Sequence, residues 1–116
     1  MTAYIQTVVS SPVPGREDEF NRWYDDIHLP EVLAVPGFLA GQRYALTGLG
    51  ASDQRRYLCV YEIETDDLAA TLSAVSAAAP TMTMSEAMDQ PATVIEVYEL
   101  LGGRRTALEG ARSEGN

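Results

Sequence analysis

The chain contains no lysine: all eight of its basic residues are arginine, set against seventeen acids. Lysine Schiff-base chemistry and pyridoxal phosphate anchoring are therefore excluded. Cysteine is almost absent as well. Cys59 stands alone, so no internal disulfide forms and a reducing compartment is expected. There is one histidine, His28, and one tryptophan, Trp23. A single histidine and a single cysteine cannot assemble a zinc site within one chain. No calcium-loop spacing is present. Gly48-Leu49-Gly50 lacks the third glycine and the following helix of a dinucleotide fingerprint, and no Gly-x-Ser-x-Gly elbow occurs. No run approaches the ~20 apolar residues of a membrane span. Residues Met1 to Gln6 lack the basic flank and apolar run of a signal peptide, so a cytoplasmic location is expected. A formal charge of −9 with scattered arginines argues against nucleic acid and anionic membrane as partners.

What is present suffices for one domain. In 116 residues, 46% are apolar, enough to bury a core and too many for a disordered chain. Residues 3–10 read as a strand, Pro12–Gly15 as a turn, and a helix follows, opened by Glu17, Asp18 and Glu19. Pro36-Gly37 ends that helix. Residues 38–47 and 55–65 read as strands around a hairpin loop at 48–53. Asp66-Asp67 caps a second helix carrying Leu68, Leu72 and Val75, which breaks at Pro80. Helix is expected to resume over 81–88, and 92–101 is the last strand. The order β-α-β-β-α-β predicts an α+β, ferredoxin-like domain over residues 1–101: a four-stranded antiparallel sheet with both helices on one face. Residues 102–116, rich in Gly, Arg and Glu, are expected to form a mobile tail or an arm on a partner.

The strands say more. Tyr57, Cys59, Tyr61 and Ile63 lie on one side of the third strand, and Leu58 and Val60 on the other. Apolar residues on both faces call for a second cover, because a half-exposed sheet alternates more cleanly. A homodimer through the open sheet face is expected.

The densest stretch is Phe20-Asn21-Arg22-Trp23-Tyr24-Asp25-Asp26-Ile27-His28-Leu29-Pro30. Phe20, Trp23, Tyr24 and Ile27 recur at helical spacing and mark a buried face, with His28 at its edge beside Tyr24. Pro30 has no N–H for the carbonyl of Asp26, so the helix is expected to stop or kink near His28. An imidazole exchanges protons near neutrality, which makes His28 the first candidate for chemistry. A packing histidine at a helix boundary is the plainer reading.

That run, continued through Pro36-Gly37-Phe38 and Arg43-Tyr44, resembles the EthD-like branch of the dimeric α+β barrel superfamily. The resemblance covers roughly residues 3–101. It implies the ferredoxin-like fold, a dimer, and a first-helix histidine at His28 accompanied by Tyr24. A pocket between first helix and sheet, lined by Trp23, Tyr24, His28, Tyr44, Tyr57 and Tyr61, suits a small, flat, hydrophobic ligand. The leading expectation is a cofactor-independent lyase, decarboxylase or isomerase acting on an aromatic, polyketide-like or lactone substrate. In it His28 moves the proton and a tyrosine hydroxyl such as that of Tyr24 holds the developing oxyanion. Glu62 is a further candidate, as a second-site acid or as the partner of an interface arginine such as Arg43. Two alternatives stand beside it: a haem- or oxygen-linked monooxygenase-type protein, with His28 as an axial ligand, and a non-catalytic accessory protein that binds a hydrophobic intermediate.

Overall fold

The computed structural model describes residues 1–49 and 55–107. Most of the expected hairpin loop and the end of the expected tail lie outside them. The elements follow the expected order: β1 (Thr2–Ser10), α1 (Glu17–Trp23), a π-helical turn (Tyr24–His28), α2 (Leu29–Leu33), β2 (Phe38–Ala45), β3 (Tyr57–Thr65), α3 (Leu68–Ala78) and β4 (Val94–Glu99). The sheet is antiparallel throughout, in the order β2-β3-β1-β4. This is the ferredoxin-like α+β fold.

The helices cover the face that carries Gln6, Val8 and Ser10 of β1 and Cys59, Tyr61 and Ile63 of β3, all buried. From α1, Phe20, Trp23 and Tyr24 point into that face. Their i, i+3, i+4 spacing makes one buried stripe, and each ring buried contributes about 1.5–3 kcal/mol. Gly41 on β2 permits the close approach of α2. A Cβ there would stand 2.8 Å from Leu29 Cδ1 and 3.2 Å from the Tyr61 ring. Gly37 turns the chain into β2 at φ +98°, a conformation that favours glycine.

Three local expectations are corrected. Pro30 neither ends nor breaks the helix. The chain widens instead: the Leu29 amide donates to the Tyr24 carbonyl five residues back, and α2 runs on with Pro30 in its first turn. A π turn gives the proline ring the room that a tight α turn denies it. Residues 81–88 do not resume as helix. The Thr83 carbonyl accepts from Trp23 Nε1 at 2.7 Å, and its amide donates to the Glu31 carboxylate at 3.0 Å. These bonds tie the segment down as irregular chain with a turn at Glu86-Ala87, and Met88 then bridges to Pro12. In α3, Thr71 is the buried residue and Ala74, Val75 and Ala78 join the core, so the buried stripe is displaced from the Leu68–Leu72 line. Asp67 caps that helix as expected, its carboxylate accepting from the Ala70 amide at 3.0 Å.

The opposite sheet face carries Val9, Leu58 and Tyr44 in one row with Val94, and Ile5 beside Tyr98. Val94, Tyr98 and Tyr44 are each about half exposed.

Candidate functional site

The site candidates separate into three places. His28 closes the π turn. Its ring stacks on Trp23 with centroids 4.7 Å apart and meets the Tyr24 ring edge-on at 5.1 Å. Nδ1 is buried without a hydrogen-bond partner. Burial holds its pKa below the usual histidine value, with the Glu31 carboxylate pulling weakly the other way. No cavity found among the described residues is lined by His28. Trp23 is committed to packing and to Thr83.

Tyr24 and Tyr61 form a second group, with Cys59, in the floor of the core. Both hydroxyls are buried beside each other and the Cys59 thiol without a hydrogen bond of good geometry, and burial drives both phenols far above their usual pKa. They are neutral at any physiological pH. Burial likewise pushes the Cys59 thiol up, which makes it an inert core residue.

The third place is a groove of about 400 Å³ between the π turn and β2, lined by Asp25, Leu29, Gly41, Gln42, Arg43, Tyr44, Ala45 and Tyr57. Arg43 is its centre. The guanidinium lies 4.5 Å from the Tyr24 ring centroid, 5.3 Å from that of Tyr57 and 5.6 Å from that of Phe20. A cation so placed on an aromatic face gains roughly 0.5–2 kcal/mol. Nη2 donates to Asn21 Oδ1 at 2.8 Å and Nη1 to Asp25 Oδ1 at 2.9 Å. Asn21 in turn donates to the Tyr57 hydroxyl, which donates to the Glu17 carboxylate. Burial and this acid raise the Tyr57 pKa.

The structure thus brings Tyr24, Tyr57 and Tyr61 to the helix side of the sheet, and the groove reaches Tyr44 at its rim. It does not bring Glu62 there. Glu62 is exposed on the opposite face, beside Ile5, and cannot meet Arg43, which points to the helices. Arg43, Asn21 and Asp25 were not foreseen as site residues. The one sequence signal was a lone arginine in a strand otherwise poor in charge.

All three places are set on a ferredoxin-like α+β protomer. No family model matches the chain, and no curated protein matches it in sequence. Solved structures do match in fold. One is a dimeric ferredoxin-like protein from an uncultured marine organism (10% identity, 92% of this chain and 95% of that one, TM-score 0.62). Another is a candidate antibiotic-biosynthesis monooxygenase from Bacillus cereus (10%, 91% and 100%, 0.57). A third is the haem degrader MhuD of Mycobacterium tuberculosis with two haems in its active site (18%, 88% and 99%, 0.55). The expectation of a cofactor-free lyase, decarboxylase or isomerase is corrected by these neighbours, whose descriptions stand with the oxygen- or haem-linked alternative. The geometry gives the physical reason: the imidazole that was to move the proton packs against two aromatic rings with its Nδ1 buried.

An axial imidazole presents one ring nitrogen to a flat apolar slot. At His28, Nδ1 is buried, one ring face lies on Trp23 and Tyr24 stands edge-on to the ring; Trp23 and Tyr24 are 6% and 1% exposed, so haem does not fit at Nδ1 as the core is packed.

Proposed function

We propose that this protein is an oxygenase-type enzyme of the dimeric α+β barrel fold, acting on a flat, electron-rich, oxygenated aromatic compound bound in the groove beside Arg43. The observation that carries the reading is the seat of Arg43: a desolvated guanidinium resting on aromatic faces at the wall of a ligand-sized groove. The motif running from Phe20 to Phe38 supports placing the chain in the EthD-like branch.

The chemistry draws its electrons from the substrate. A phenol with an open para position loses its hydroxyl proton and its ring hydrogen. Dioxygen places one atom on the ring carbon as a new carbonyl, and the other leaves as water with both hydrogens. Product is a quinone, and dioxygen takes up four electrons. The protein has to favour the phenolate, because the anion yields electrons far more readily than the phenol. Arg43 supplies the positive charge beside that oxygen in a site of low dielectric. Tyr57, fixed by Asn21 and Glu17, lines the plane in which the ring lies, while the Tyr44 side chain belongs to the opposite sheet face and meets the groove only at its edge. Tyr24 and Phe20 support Arg43 from beneath, and His28 and Trp23 hold the π turn that positions Asp25.

A second copy covers the open sheet face in this reading. The apolar row across all four strands supports it, as does the dimeric neighbour.

An oxygen electrode tests the proposal on a panel of 1-naphthols and anthrones. Uptake above autoxidation is expected for at least one class, falling on the order of 10²-fold in Arg43→Gln. Uptake no faster than buffer across the panel, with ligand still bound, would make the protein an accessory binder.

A further inference from the structure

The charge balance at Arg43 carries a statement about what the groove takes. Resting on the proposed groove ligand, we infer that the ligand is an aromatic acid whose carboxylate takes the place of Asp25 on Arg43.

The two arms of the guanidinium are held very differently. Nη2 belongs to a chain of fixed groups, since Asn21 bonds the Tyr57 hydroxyl and Tyr57 bonds Glu17. Nη1 is held by Asp25 alone, and that carboxylate is 59% exposed while the Arg43 side chain is 12% exposed. Asp25 makes no other hydrogen bond among those found in the described residues. Nε is buried with no acceptor, so Asp25 and Asn21 leave the guanidinium under-satisfied. A buried charge balanced by a solvent-facing acid is open to exchange: Asp25 returns to water at little cost, and a better-placed carboxylate gains a charge-assisted bond in a dry site. Asp25 and Arg43 both line the groove, so a ligand within it reaches Nη1 from the side on which Asp25 now sits. Of the remaining lining, Leu29, Gly41, Ala45 and Tyr57 fit an aromatic ring, Gln42 and Tyr44 belong to the opposite sheet face, and none is a second cation. The occupant is therefore a monoanionic acid with a flat ring, and Asp25 acts as its internal competitor.

Calorimetry under argon, with the full chain, separates this from the oxygenase reading because no turnover enters it. The probes are 1-hydroxy-2-naphthoate and 1-naphthol, which differ by the carboxylate. The acid is expected to bind about tenfold tighter or better. Asp25→Asn should tighten the acid severalfold and leave the naphthol unmoved. Asp26→Asn, one residue along and off the guanidinium, should change neither by more than about twofold, which controls for loss of a general negative charge. Arg43→Gln should remove the preference. Equal affinities for acid and naphthol, no binding of either, or weaker acid binding in Asp25→Asn each overturn the inference. The Asp25 variant keeps the test decisive even if Arg43→Gln fails to fold. Acid preference without oxygen uptake would sink the oxygenase reading and leave this one standing.

Discussion

At the scale of single residues, the informative groups are polar atoms placed where water cannot reach them. His28 titrates at a lower pH in the folded chain than in the unfolded one, because burial penalises the imidazolium. The unfolded state then takes up its proton first, at about 6.5. Stability from this group is complete above that pH and is lost as the pH falls through it toward the folded pKa. Urea midpoints measured at pH 7.5 and 5.0 should therefore diverge in the wild type. The difference should shrink in His28→Gln. No hydrogen bond of good geometry reaches the buried Tyr61 hydroxyl, whose polar neighbours are the Tyr24 hydroxyl and the Cys59 thiol, so Tyr61→Phe removes a poorly satisfied group and leaves the ring packing in place. That variant should be as stable as the wild type or more stable by about 1 kcal/mol. A loss of 2 kcal/mol in the same urea experiment would show that the hydroxyl has a partner after all.

At the scale of elements, the bulge at the start of β2 decides which side chains reach the site. Phe38 lies opposite Ile63 and Gly41 opposite Tyr61, so three steps on β2 match two on β3. Regular alternation from Phe38 would turn Tyr44 inward and Arg43 outward. The extra residue reverses both. That one irregularity explains why Tyr44 belongs to the rim and the open face while Arg43 lies under the helices. No residue type near Leu39 announces a bulge, and the reversal was not legible. Elements with a strong local cause were legible: β3 with its alternating Tyr57, Cys59, Tyr61 and Ile63, the Asp67 cap, and the helical stripe of Phe20, Trp23 and Tyr24, which ends there because the widened turn leaves Ile27, expected in the same stripe, exposed. The π turn was half legible. Pro30 signals a disturbance, but whether a helix breaks or widens depends on what it packs against. Here Leu29 is pinned over Gly41, and the helix has reason to continue. Gly41→Ala should cost about 1–3 kcal/mol by forcing Leu29 and Tyr61 apart, read as a drop in urea midpoint. A neutral outcome would mean that α2 is free to lift.

At the scale of the whole molecule, the two sheet faces divide the work. The helix side holds the groove. The open side, with Leu58 at the centre of its apolar row, is the face that the proposed second copy covers. Leu58→Glu should give a monomer by sedimentation, with the far-ultraviolet spectrum of the wild type. A wild-type protein that sediments as a monomer at high concentration would remove the dimer from the account. The central claim is that dioxygen reacts with a ligand held beside Arg43, and isotope labelling reaches it most directly. Turnover of the best phenolic substrate under ¹⁸O₂ should place one labelled oxygen in each quinone, with the other recovered in water. Product that carries no label, or whose label comes from ¹⁸O-water faster than its carbonyls exchange, would contradict the account.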